Sequence, residues 1–88
     1  LDLASHEVRY RGKALVLSAR EFALMRALLD RPGTILSRVQ LEEKLYGWGE
    51  EVESNAIDVL IYYLRKRFDK DIIRNVRGAG WMVPKAPA

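Results

Sequence analysis

The sequence has no cysteine and a single histidine, His6. Without thiols, disulfides and thiolate zinc sites are excluded, and a lone imidazole has no second ligand or base partner with which to hold a metal. The missing cysteines also fit a reducing, intracellular compartment. Apolar runs extend over only a few residues, against the roughly 20 that a membrane-spanning helix needs, so no membrane association is expected. The opening Leu1-Asp2-Leu3 carries no basic leader, which makes the cytoplasm the expected location. A convergent nucleophile, acid–base pair or metal set is missing as well, because the carboxylates are scattered along the chain. Catalysis, a metal centre and a bound cofactor are therefore not expected, and His6 reads as a surface residue.

What remains is an 88-residue chain, 49% hydrophobic and 31% charged, too apolar and too mixed in sign for disorder. Its length suits one domain over residues 1–88, with a core just large enough to fold without a staple. Pro84 and Pro87 make 84–88 a poor strand and an expected flexible tail. The formal net charge is +3, and its distribution is uneven. Residues 1–53 hold eight Lys and Arg against nine Asp and Glu, a balance of −1, whereas residues 54–88 hold seven against three, a balance of +4. The positive field belongs to the C-terminal part, where it suits a polyanionic partner.

Hydrophobic periodicity divides the chain into short elements. Leu1-Asp2-Leu3, Glu7-Val8-Arg9-Tyr10 and Lys13-Ala14-Leu15-Val16-Leu17 alternate like strands of a small antiparallel sheet, with Arg11-Gly12 as a tight turn. At Ser18-Ala19-Arg20-Glu21 a capping box opens a helix with Phe22, Leu24, Met25, Leu28 and Leu29 on its apolar stripe, stopped at Arg31-Pro32-Gly33. A second box, Ser37-Arg38-Val39-Gln40, starts a shorter helix that holds Val39, Leu41 and Leu45 before Gly47. The segment from Gly47 to Glu53 is a loop by its glycines and clustered acids. A third helix is predicted over 54–68, with Ile57, Leu60, Ile61, Leu64 and Phe68 on its buried stripe. Residues 72–77 and 81–83 then form a hairpin around Gly78-Ala79-Gly80. Strands, helix, helix, acidic loop, helix and hairpin make an α+β winged helix-turn-helix, whose third helix can enter a major groove.

Two strings sharpen this reading. Residues 52–68, Val-Glu-Ser-Asn-Ala-Ile-Asp-Val-Leu-Ile-Tyr-Tyr-Leu-Arg-Lys-Arg-Phe, and 73–81, Ile-Arg-Asn-Val-Arg-Gly-Ala-Gly-Trp, resemble the signature of the OmpR/PhoB-type response regulators, close to V-D-V-H-I-x-x-L-R-x-K-L and I-x-T-V-R-G-x-G-Y. Residues 17–24, Leu-Ser-Ala-Arg-Glu-Phe-Ala-Leu, are similar to that family's L-T-x-x-E-F-x-L-L. The resemblance implies an N-terminal four-stranded sheet, a three-helix core and a C-terminal wing. It further implies a cytoplasmic transcription factor of a two-component phosphorelay, binding double-stranded DNA at direct repeats as a tandem dimer. A phosphorylatable receiver domain upstream, outside this chain, would be the route to a sensor kinase.

With the stripe turned inward, Asn55, Val59, Tyr62, Tyr63 and Lys66 occupy the other face of the third helix. Asn can pair with adenine and Val can meet a thymine methyl, while the tyrosines can reach phosphate, sugar or methyl groups. Two adjacent tyrosines are equally the mark of a plain amphipathic surface. Members of the family usually carry a basic or imidazole residue at one or more of positions 60, 62 and 63, where this chain has Leu60, Tyr62 and Tyr63, so less guanine reading is expected. Arg65, Lys66 and Arg67 suit both the helix's negative end and phosphates. At the hairpin tip Gly78 permits a tight turn, and the resemblance makes Arg77 the minor-groove contact of the wing, with Arg74 and Asn75 beside it. Trp81 and Met82 are expected to pack the wing onto the third helix. The resemblance also places Trp48, Glu50, Glu51 and Glu53 in a segment facing RNA polymerase, against the alternative of a solvated loop. The rival to DNA binding is a winged-helix protein-interaction module that reads no base, with RNA binding more distant for want of an aromatic sheet signature.

Overall fold

The computed structural model describes residues 3–50, 53 and 55–85. The elements run β1 (Glu7–Tyr10), β2 (Lys13–Val16), α1 (Ala19–Leu29), α2 (Arg38–Gly47), α3 (Ala56–Arg67), β3 (Arg74–Val76) and β4 (Gly80–Met82). β1 and β2 pair antiparallel, as do β3 and β4, each in its own two-stranded sheet. Arg11 (φ 49°) and Gly12 (φ 78°) join β1 to β2, the pair of left-handed residues that a two-residue hairpin turn matched to strand twist requires. The four-stranded sheet expected at the N-terminus is a two-stranded hairpin among the described residues; Leu3–His6 form turns, and Leu1 and Asp2 lie outside the described residues.

Both capping boxes are formed. Ser18 accepts from the Glu21 backbone N–H while the Glu21 carboxylate accepts from the Ser18 N–H, and Ser37 and Gln40 repeat the exchange at α2. Each box satisfies two of the donors that a helix start leaves without partners. α2 ends just as definitely: Gly49 adopts φ 83°, its N–H donates to the Tyr46 carbonyl, and the Glu50 N–H donates to the Leu45 carbonyl. This paired closure needs a left-handed residue one position past the cap, which glycine supplies without strain.

One apolar core joins the elements, with Leu24, Leu28, Leu41, Leu45, Ile57 and Leu64 fully buried within it. α1 buries Ala23 and Ala27 besides Phe22, Leu24, Met25 and Leu28 of its predicted stripe, so it is covered on a broad face that includes both other helices, with Leu29 partly buried. In α2, Val39 is 59% exposed while Leu41 and Leu45 are buried. The reason is angular: at about 100° per residue, positions 39 and 41 fall on opposite sides of a helix, and Leu41 with Leu45 takes the core side. α3 is shorter than predicted and seats on Ile57, Ile61 and Leu64, with Leu60 and Phe68 only half-buried at the margins of the stripe. β3 is also shorter, because Ile72 and Ile73 turn into the core before the strand begins.

The wing is fastened by backbone. The Leu36 N–H donates to the Trp81 carbonyl and the Trp81 N–H to the Leu36 carbonyl, at 2.8 and 2.9 Å, and the Gly33 N–H donates to the Val83 carbonyl at 2.7 Å. The segment 33–36 before α2 therefore runs alongside β4 and its continuation. Gly80 (φ 145°) lies so close to this segment that a β-carbon would fall on the Leu36 carbonyl oxygen. Only glycine combines that dihedral with that approach. Of the tail expected over 84–88, Pro84 is half-buried and Lys85 is exposed with its side chain near Gly33, while Ala86–Ala88 lie outside the described residues. Gly80→Ala is expected to destabilise the fold by about 2 to 3 kcal/mol and lower the Tm by about 10 to 20 °C. A thermal melt within a degree or two of the parent would show that the wing is not held by this contact.

Candidate nucleic-acid interface

α3 presents one apolar face outward. Val59, Tyr62 and Tyr63 are 45%, 59% and 50% exposed, and the tyrosine rings meet edge to face at 5.5 Å between centroids. The Lys66 ammonium lies 5.9 Å from the Tyr62 ring centroid, within the range of a weak cation–π contact. Asn55 precedes the helix, exposed, and makes no side-chain capping hydrogen bond. Residues 55, 59, 62 and 66 follow one helical stripe, with Tyr63 at its flank.

The wing stands beside this face. Arg74, Asn75, Arg77 and Gly78 are all exposed. The Ala79 N–H donates to the Val76 carbonyl at 2.9 Å, closing a four-residue turn with Gly78 (φ 79°) in third place, where a left-handed residue is needed. Arg77 thereby sits at the corner of the hairpin. Between α3 and the wing runs a groove of about 390 Å³ lined by Asp58, Tyr62, Arg65, Lys66, Lys70 and Asn75, with Ile61 and Trp81 in its wall. The groove gathers several of the predicted residues in one place.

The basic cluster at the end of α3 does not act as a unit. The Arg67 guanidinium donates to the Glu21 carboxylate at 2.9 Å and to the Val16 carbonyl at 3.4 Å, turned toward α1 and β2. Its carbonyl accepts from the Lys13 ammonium at 2.6 Å. Arg67, expected at a phosphate, here has Glu21 as a partner, a carboxylate only 9% exposed that gains from a neighbouring cation. Arg65 is half-buried and its Nε donates to the Lys70 carbonyl at 3.0 Å, tying down the turn after α3. Lys66 alone of the three faces outward without a hydrogen bond or ion pair recorded within the described residues.

The family described as "Transcriptional regulatory protein, C terminal" matches residues 12–83 of the chain, from the β1–β2 turn through β4. The chain belongs to this family of OmpR/PhoB-type C-terminal domains. Its relatives include the response regulator protein PmrA of Pseudomonas aeruginosa, 51% identical over 81 residues that cover 92% of this chain and 37% of that protein. The transcriptional regulatory protein QseB of Escherichia coli is 42% identical over 81 residues, covering 92% of the chain and 37% of the relative. The chain thus spans a little over a third of the length of these curated relatives. Among solved structures, the C-terminal domain of the nisin resistance regulator NsrR superposes with a TM-score of 0.81 at 27% identity, covering 94% of this chain and 89% of that one. The Klebsiella pneumoniae RstA DNA-binding domain, solved in complex with the RstA box, superposes at 0.74 with 26% identity, covering 94% and 87%.

Within this OmpR/PhoB-type domain, one pair at the interface was not foreseen from sequence. Arg38, in the first turn of α2, donates to Asp58 of α3 at 2.7 Å, and its guanidinium lies 5.5 Å from the Trp81 ring centroid. It joins α2, α3 and the wing at a point that lines the recess behind the wing tip. A cation at a helix start opposes the helix dipole, and that anomaly was the one signal in the sequence; the 20-residue separation from Asp58 hid the partner. Trp48, of the segment expected to face RNA polymerase, lies at the end of α2. It caps α2, is half-buried, and its ring is covered by Arg26 at 4.1 Å. Glu50 is half-buried, Glu53 is exposed, and Glu51 lies outside the described residues.

Two substitutions separate internal from external cations. Glu21→Ala, which removes half a capping box and the partner of Arg67, is expected to cost about 1 to 2 kcal/mol in urea unfolding. Arg67→Ala is expected to cost less than about 1 kcal/mol, because the pair is partly solvated, and to leave the salt dependence of DNA affinity unchanged. A slope reduced by about one unit would return Arg67 to the phosphates.

Proposed function

We propose that this domain binds double-stranded DNA sequence-specifically as the output module of a two-component transcriptional regulator. α3 enters the major groove with Asn55, Val59, Tyr62 and Tyr63 toward the base edges. Lys66 approaches the backbone, and Arg65 adds whatever reach its terminal nitrogens retain. The wing lays Arg77 into the adjacent minor groove, with Arg74, Asn75 and the backbone at Gly78 along the phosphates.

The observation that carries this reading is the division of α3 into two faces. Ile57, Ile61 and Leu64 are locked in the core while Val59, Tyr62 and Tyr63 stand out beside an arginine-bearing wing. The RstA domain solved on its DNA box, which shares the fold over 94% of this chain, supports double-stranded DNA as the partner. From family membership we further infer tandem binding to direct repeats, a receiver domain and sensor kinase acting upstream, and a cytoplasmic location. Glu50 and Glu53, beside Trp48, offer a negative surface that suits a basic patch of RNA polymerase.

The exposed tyrosines would also serve a protein-interaction module. Salt separates the two: phosphate contacts release counterions, so log affinity for DNA is expected to fall with log salt with a slope of several units. A flat response in a fluorescence titration would favour the protein partner. Arg77→Ala is expected to weaken specific binding by about 1 to 3 kcal/mol, and undiminished affinity would remove the wing contact. Tyr63→Ala is expected to alter sequence preference more than nonspecific affinity; equal losses on all duplexes would rule out base reading by that ring.

A further inference from the structure

We propose that α3 reads thymine by its methyl group, so that the major-groove portion of its binding site is A·T-rich and guanine is not the base it selects. The proposal rests on the DNA-binding reading above and specifies its substrate.

Guanine shows the major groove only acceptors, N7 and O6, and is best read by the fork of an arginine. The arginines on or against α3 each have a partner within the protein. Arg67 donates to Glu21 and Val16, Arg65 to the Lys70 carbonyl, and Arg38 to Asp58 at 2.7 Å. Asp58, the acid on this helix that could accept from cytosine, is held by the same Arg38. Lys66 remains as a cation, at the last turn and beside the Tyr62 ring, where it suits the backbone.

What α3 does offer is apolar. Val59, Tyr62 and Tyr63 together expose about half of their surfaces on one helical face. The apolar group that a base edge presents in the major groove is the C5-methyl of thymine. Burying it against a valine or a tyrosine ring is favourable, and burying a guanine or cytosine edge against the same groups leaves its polar atoms without partners. Asn55, exposed and without a capping bond, supplies the donor and acceptor that adenine needs.

The test begins by selecting duplexes bound by this chain from a random pool. Each thymine of the enriched half-site is then replaced by uracil, which removes the methyl and nothing else. A contacted methyl is expected to account for about a fourfold change in affinity, the factor equivalent to about 0.8 kcal/mol. That loss should vanish at the matching position in Val59→Ala, Tyr62→Ala or Tyr63→Ala. Replacing guanines by 7-deazaguanine is expected to change nothing in the major-groove portion. Neutral uracil substitutions on a duplex that still binds tightly, or a loss with 7-deazaguanine, would overturn thymine reading while leaving DNA binding intact. Failure to enrich any sequence would remove the DNA-binding reading itself, and this proposal with it.

Discussion

The place of the wing is set by a contact in which no side chain takes part. Leu36 and Trp81 exchange a pair of backbone hydrogen bonds, and this brings the Leu36 carbonyl so close to Gly80 that a β-carbon there has no room. Because Leu36 leads directly into the capping box of α2, the same contact fixes the wing and the start of that helix in one frame. Arg38 then extends the frame to α3 by its ion pair with Asp58. The relation between the wing and α3 is therefore covalently short and sterically tight, the sort of support that holds a recognition surface in register.

The opposite end of α3 is held by charge. Glu21 serves two purposes with one carboxylate: it accepts from the Ser18 N–H to complete the α1 cap and from Arg67 to anchor the last turn of α3. Lys13 meets the Arg67 carbonyl, and Arg11 lies 3.5 Å from Asp69. Three cations of the chain are thus spent on fastening α3 to the N-terminal hairpin and α1. Of these three only Arg67 belongs to residues 54–88, so most of the positive charge of that segment stays exposed, on Lys66, Lys70, Arg74, Arg77 and Lys85.

Local rules carried most of the fold. Both capping boxes were readable from Ser-x-x-Glu and Ser-x-x-Gln, the turn from Arg11-Gly12, and the α3 core face from Ile57, Ile61 and Leu64. The errors arose where geometry beyond the nearest neighbours decides. The N-terminal sheet expected to have four strands is a two-stranded hairpin among the described residues, since pairing between distant segments leaves no local mark. At the interface, Val59, Tyr62, Tyr63 and the wing residues were legible as an exposed set, since helical spacing and hairpin turns are local properties. Arg67 and Arg38 were not, because their partners lie 46 and 20 residues away, and no periodicity signals a pairing at that distance.

The two tryptophans fall on different parts of this framework. Trp81 is buried where the wing meets the segment before α2, whereas Trp48 is half-buried beneath Arg26 at the end of α2. Each indole thus sits at a different junction, Trp81 between the hairpin and the segment before α2 and Trp48 between α2 and the turn toward α3. Single-tryptophan variants of the domain would therefore carry one optical probe of wing detachment and another of the end of α2, with no added label.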